Sequence, residues 1–299
     1  MVVTMMKTVC FFGDSITRRG IWLGEIVEHV YPAGTRIYNC GVSGDSATAA
    51  IDRLWCDCLS RTPDTVVMMF GMNDIGRDLY AETAVGRETD RIRRIERYKT
   101  AIRTLAGHIR AAGVELILCT PTPCNDVDQP AGTENHANNG LAVCADFIRA
   151  YATELGVRCI DFFAEMYPLL GRDAFHYPDR VHPDPHGQHI MAQIFMRQMG
   201  IIDTVDFAGT YPFAPGNQAR FDVEQKLREI TFIEWNLMYT ERKKRFMTHA
   251  DKLALAEARL AAAREQDNAN GIRWYSYYLA EVENKEVYES ELVRLTLTM

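Results

Sequence analysis

A chain of 299 residues with 47% apolar, 24% charged and 10% aromatic side chains can bury one large core or two modest ones, which excludes disordered, collagen-like and fibrous proteins. Its formal charge of -7 works against a broad phosphate-binding surface, so nucleic acid is not an expected partner. No apolar run approaches the roughly 18 residues of a membrane span, and the opening MVVTMMKTVCFFGDS lacks the three-part build of a secretory leader. Cysteines at 10, 40, 56, 58, 119, 124, 144 and 159 include four in strand-like apolar runs, which predicts buried thiols in a reducing, cytoplasmic compartment rather than a disulfide framework. Cys56 and Cys58 form C-x-C, not the C-x-x-C of zinc or redox sites.

In chain order, short and nearly continuous apolar runs fall at 7 to 12, 36 to 42, 64 to 70, 114 to 120 and 157 to 163. Helical patterns fill the intervals at 17 to 30, 46 to 59, 90 to 112, 139 to 155 and 185 to 200. Strands covered on both faces and alternating with helices predict right-handed βαβ units: an α/β fold with a doubly wound, five-stranded parallel sheet. The active crevice then belongs at the carboxyl ends of the strands. Beyond residue 200 the character changes. A Pro/Gly-rich link, TYPFAPGN (210 to 217), leads into a long helical stretch to about 266, broken by QDNANG (266 to 271). A second helix follows, with Trp274, Tyr277, Tyr278, Val282, Tyr288 and Leu292 on one stripe. The expected domains are 1 to 204, the sheet domain, and 205 to 299, a C-terminal helical hairpin that could be a dimer surface, a partial lid or plain packing. ERKKR (241 to 245) reads as a solvated helix face.

Gly13-Asp14-Ser15-Ile16-Thr17 ends the first strand, so Ser15 stands where strand passes to helix beside free backbone N–H groups, a seat suited to a nucleophile. A second Gly-Asp-Ser at 44 to 46 makes Ser46 and Ser43 rivals, and Gly41-Val42-Ser43-Gly44-Asp45 fails the G-x-S-x-G elbow. Gly71-Met72-Asn73-Asp74 follows the third strand, where the Asn73 side chain can donate to a developing oxyanion. In Asp179-Arg180-Val181-His182-Pro183, His182 can serve as general base and Asp179 can hold its Nδ1–H. Singly, each has a plain structural reading as a cap, turn or loop residue.

These blocks, GDSIT (13 to 17), NCGVSGDS (39 to 46), GMND (71 to 74) and DRVHP (179 to 183), resemble in order those of the GDSL esterases, or SGNH hydrolases, over residues 7 to 200. The resemblance implies a flavodoxin-like sheet, Ser15 as nucleophile, His182 as base and Asp179 as its orienting acid. It implies an oxyanion hole of the Ser15 and Gly44 N–H groups with Asn73, and it assigns Asp45 and Ser46 structural places. The hairpin has no counterpart in the family's minimal domain.

A zinc site from His182, His186, His189, Asp179 and Asp184 is disfavoured because Pro183 and Pro185 keep the segment out of helix interior, and the helix is expected to begin near Pro185. No metal and no cofactor are expected. His29, His108, His136, His176 and His249 show no assignable partner. The expected reaction is ester hydrolysis through an acyl-enzyme. Polar loops at 75 to 89, 120 to 139 and 171 to 178 suit a hydroxyl-rich ligand, a small-molecule or oligosaccharide ester, and the resemblance implies deacetylation of a carbohydrate, since similar family members often remove acetyl groups from sugars. Lysophospholipid or thioester hydrolysis, acyl transfer to a sugar hydroxyl, and a scaffold with an idle site are the alternatives. Homo-oligomer formation through the C-terminal helices is also expected.

Overall fold

The computed structural model describes residues 7–31, 35–81, 83–126, 136–171, 175–176, 179–207, 248–285 and 287–288, with six single positions between 223 and 237. The link at 210 to 217, the ERKKR run, Leu292 and much of the 120 to 139 and 171 to 178 loops lie outside the described residues. The chain divides into two compact units, Met1–Tyr211 and Pro212–Met299.

The first unit is built on five parallel strands in the order β2-β1-β3-β4-β5: β1 (Thr8–Gly13), β2 (Arg36–Gly41), β3 (Thr65–Met69), β4 (Glu115–Cys119) and β5 (Arg158–Ile160). The doubly wound α/β sheet expected from the sequence is the one observed. β1 and β3 are buried at every position because helices cover both faces. Those helices are α1 (Ser15–Arg19), α2 (Ile21–Val30), α3 (Ala47–Ala50), α4 (Glu88–Ala111), α5 (Ala137–Leu155), α6 (Phe162–Met166) and α7 (Pro185–Gln198). α4 turns Ile95, Tyr98, Ala101, Ile102, Leu105, Ala106 and Ile109 inward, at the three- and four-residue spacing that makes one helical face. Phe11, Trp22 and Phe162 meet edge to face at 5.5 Å between ring centres and tie β1 to α2 and α6.

Three expected elements differ in detail. The run at 157 to 163 gives only a three-residue strand, because the Asp161 side chain accepts the Ala164 N–H and starts α6. The helix expected at 17 to 30 is split by Gly20, which takes φ 68° between α1 and α2. The helix expected at 46 to 59 is α3 followed by a 3-10 turn, a π turn over Leu54–Cys58 and another 3-10 turn. Apolar periodicity cannot distinguish these windings, since all of them bury one side of the chain.

In the second unit, α8 (His249–Glu265) opens with a capping box between Thr248 and Asp251, and α9 (Ala269–Glu281) is capped by Asn268. Ile230, Ile233, Leu237, Ala256, Tyr278 and Val282 form its own buried apolar cluster, against which Trp274, Tyr277 and Tyr288 pack. The described residues of the predicted stripe therefore belong to a core face. Glu234 lies beneath two lysines, Lys285 at 2.8 Å and Lys252 at 3.5 Å.

Candidate active site

In this strand order the winding reverses between β1 and β3, so a crevice opens at their carboxyl ends. The chain leaving β1 carries Ser15, the chain leaving β2 carries Gly44, and the chain leaving β3 carries Asn73. Ser15 is the first residue of α1. Asp14 caps that helix, its Oδ1 accepting the Ile16 N–H at 2.9 Å, while the Ser15 N–H, like other first-turn donors, has no intrahelical acceptor. Burial pushes the Asp14 carboxyl up to about 7 against the pull of the Ile16 N–H.

His182 arrives from the loop before α7. Its Nε2 lies 2.7 Å from Ser15 Oγ, and its Nδ1 lies 2.7 Å from Asp179 Oδ2. The other Asp179 oxygen accepts the N–H groups of Val181 at 2.9 Å and His182 at 3.0 Å, so the loop is wound around that carboxylate. This winding puts Arg180 at φ 61°, a left-handed conformation unfavourable for a side-chain-bearing residue. The Asn125 N–H holds the Arg180 carbonyl at 2.8 Å. Partial burial raises the Asp179 carboxyl, but the two N–H donors and the imidazole outweigh it and leave its pKa below the usual value. Burial lowers the His182 pKa; Asp179 opposes this, and the charges of Arg19 and Arg77 add to it.

Gly44 takes φ 74°, which glycine adopts without strain. Asn73 donates one Nδ2 hydrogen to the Asp45 carbonyl at 2.8 Å, and its second has no partner among the described residues. Beneath this turn lies Arg53, a residue that the motif blocks do not contain. Its Nε meets Asp45 Oδ2 at 2.7 Å, one terminal nitrogen meets the Cys40 carbonyl at 2.8 Å, and the other meets the Gly13 carbonyl at 2.9 Å. The guanidinium also lies 4.4 Å over the Phe12 ring. One buried cation thus ties the ends of β1 and β2 to the turn that orients Asn73. Asp74 accepts the Ala47 N–H at 2.9 Å, and burial pushes its carboxyl up to about 7.

Ser15, His182 and Asp179 are joined by hydrogen bonds, and Gly44 and Asn73 stand on adjoining turns linked through Asp45. The rival serines are engaged elsewhere: Ser43 Oγ accepts from Arg18 at 2.8 Å, and Ser46 caps α3. His189 does not join His182; its Nδ1 pairs with Glu25 at 2.8 Å. No three His, Cys, Asp or Glu side chains among the described residues are grouped to hold a metal ion. His176 and His249, without partners in the sequence, bond the Pro123 carbonyl at 3.1 Å and Glu283 at 3.0 Å.

Residues 11–190 match the family model of the GDSL-like lipase/acylhydrolases. The chain belongs to that family. As a GDSL acylhydrolase it is a carboxylic ester hydrolase. It is 25% identical over 215 residues to an acetylxylan esterase of Geobacillus stearothermophilus, covering 65% of this chain and 94% of that protein. It is 24% identical over 208 residues to a GDSL esterase/lipase of Arabidopsis thaliana, covering 62% and 83%. Among solved structures, a catalytic mutant of the Geobacillus esterase matches at TM-score 0.53 and 21% identity, covering 69% of this chain and 97% of that one. A gut microbial diltiazem-metabolizing enzyme matches at TM-score 0.73 and 13% identity, covering 98% and 94%. That last match extends beyond the residues covered by the family model into the C-terminal unit. No helix among the described residues is long and apolar enough to cross a membrane.

Proposed function

We propose that this enzyme removes short acyl groups, acetyl foremost, from a hydroxyl-rich carbohydrate ester by way of a Ser15 acyl-enzyme. The observation that carries the reading is the relay from Ser15 Oγ through His182 to Asp179, both links at 2.7 Å. His182 Nε2 takes the Ser15 proton as Oγ attacks the acyl carbon, and Asp179 stabilises the imidazolium through Nδ1–H. The oxyanion is held by the Ser15 and Gly44 N–H groups and by the free hydrogen of Asn73. His182 then protonates the departing alcohol, and a water activated by the same imidazole releases the acid. The acetyl and carbohydrate parts rest on the likeness to an acetylxylan esterase. The eight free thiols support action in the cytoplasm.

A fluorophosphonate probe should label Ser15 in the native enzyme and fail to do so in His182→Ala. Equal labelling of both proteins would refute the relay. The pH profile gives a second test. The base must be neutral, so kcat/KM falls as pH drops through the His182 pKa; because that pKa is lowered, the acid limb should lie below the ordinary value of about 6.5. A limb at or above that value would contradict the assignment.

A further inference from the structure

In an acidic protein, the first half of α4 concentrates positive charge. A cleft of about 210 Å³ is lined by Asp78, Leu79, Arg87, Asp90, Arg93, Arg94 and Arg97, four guanidinium groups against two carboxylates. Asp90 is shared by Arg87 at 2.6 Å and Arg93 at 3.7 Å. Arg94 and Arg97 have no ion pair or hydrogen bond among the described residues. Across Arg93 and Arg97 lies a second hollow, of about 360 Å³, whose far wall is Thr48 and Ile51.

The position of the cleft connects it to the proposed site. Because α4 follows β3 and leads into the parallel strand β4, its first turns lie on the carboxyl side of the sheet, as the crevice does. Asp78 and Leu79 stand five and six residues beyond Asn73, while Thr48 stands four residues beyond Gly44. Arg94 lies against Gly76: a Cβ placed there would be 2.9 Å from its Nε. Arg77, the chain neighbour of Asp78 in the cleft wall, has a charge that reaches His182. The arginines therefore lie beside the segments that follow the two turns assigned to the oxyanion.

We propose that this cleft is an anion subsite holding a carboxylate-bearing sugar of the substrate, so that the preferred ester is carried on an acidic rather than a neutral glycan. The inference rests on the esterase reading above. Planar guanidinium groups suit a carboxylate because each can give two parallel hydrogen bonds, and the two unpaired arginines have donors to offer.

The test compares kcat/KM for acetylated galacturonate oligomers with that for acetylated xylo-oligomers. The native enzyme should favour the acidic ester, and Arg94→Gln/Arg97→Gln should lower the acidic-to-neutral ratio roughly tenfold, whereas Arg94→Lys/Arg97→Lys, which keeps the charge but not the paired donors, should lower it by less. An unchanged ratio would overturn the subsite. Calorimetric titration of Ser15→Ala with an unacetylated galacturonate trimer, and separately with inorganic phosphate, reads binding without turnover. Trimer binding that weakens about tenfold with both arginines changed to glutamine supports the proposal; phosphate binding without trimer binding overturns the sugar assignment. Trimer binding with neither ester hydrolysed would count against the esterase reading and leave the subsite standing.

Discussion

Ser15→Ala is expected to reduce kcat for p-nitrophenyl acetate by roughly 10⁶-fold, to the buffer background, while leaving the fold intact. The size follows from the arrangement. Without Oγ there is no acyl-enzyme, and His182 faces a methyl group where it had a proton to take. Whatever survives comes from the oxyanion donors acting on a water-attack path. Asn73→Ala should cost less, roughly 10²- to 10³-fold in kcat with little change in KM, because only one donor is lost and its bond strengthens as charge develops on the oxygen. Steady-state kinetics on the two variants separate these effects. Turnover by Ser15→Ala at even one-hundredth of the native rate would pass the role to Ser43 or Ser46.

Arg53→Met should destabilise the sheet unit by about 3–5 kcal/mol, the usual result of removing one partner of a buried ion pair. Arg53 and Asp45 are both nearly inaccessible, with side chains 7% and 4% exposed. The substitution leaves Asp45 buried without its counter-charge and leaves the Gly13 and Cys40 carbonyls short of a donor. Burial already raises the Asp45 pKa and Arg53 restrains it, so losing the cation raises it further. The sign follows. A carboxyl raised in the folded state is protonated there at pH values where the unfolded chain is still ionised, so the variant's deficit should shrink as pH falls. Urea denaturation at pH 8 and pH 5 measures this difference, and Arg53→Met/Asp45→Asn should recover part of the loss. A deficit independent of pH and untouched by the second substitution would mean that Arg53 contributes only packing. Because Asp45 orients Asn73, the single variant should also lower kcat.

The contrast between Ser15 and Arg53 shows what a one-dimensional reading reaches. Ser15, Gly44, Asn73, Asp179 and His182 were legible because each follows an element visible as an apolar run or stands just before a helix start. The roles proposed for Ser15, Asn73, Asp179 and His182 follow from their residue types, whereas that of Gly44, a backbone N–H, came only with the resemblance of the ordered motif blocks. Arg53 was not legible, since in Ile-Asp-Arg-Leu it looks like any exposed arginine. Its importance comes from acceptors on residues 13, 40 and 45, which only the folded sheet assembles. The same limit applies to strand ends. Apolar content continues through Phe162 and Phe163, yet β5 stops at Ile160 because a single Asp161 cap outweighs it. The arginine face of α4 lay equally hidden, since its helical spacing matches a solvated surface until the neighbouring turns are placed beside it.

Ser15 and His182 touch although they stand 167 positions apart in the sequence, one in the first turn after β1 and the other just before α7. On the ribosome, the serine, both oxyanion turns and four of the five strands leave the exit tunnel before the histidine has been translated. A nascent or truncated chain ending short of residue 182 therefore exposes a hydroxyl with no base to activate it. Under the proposed relay, hydrolytic competence waits until nearly all of the sheet unit has been synthesised.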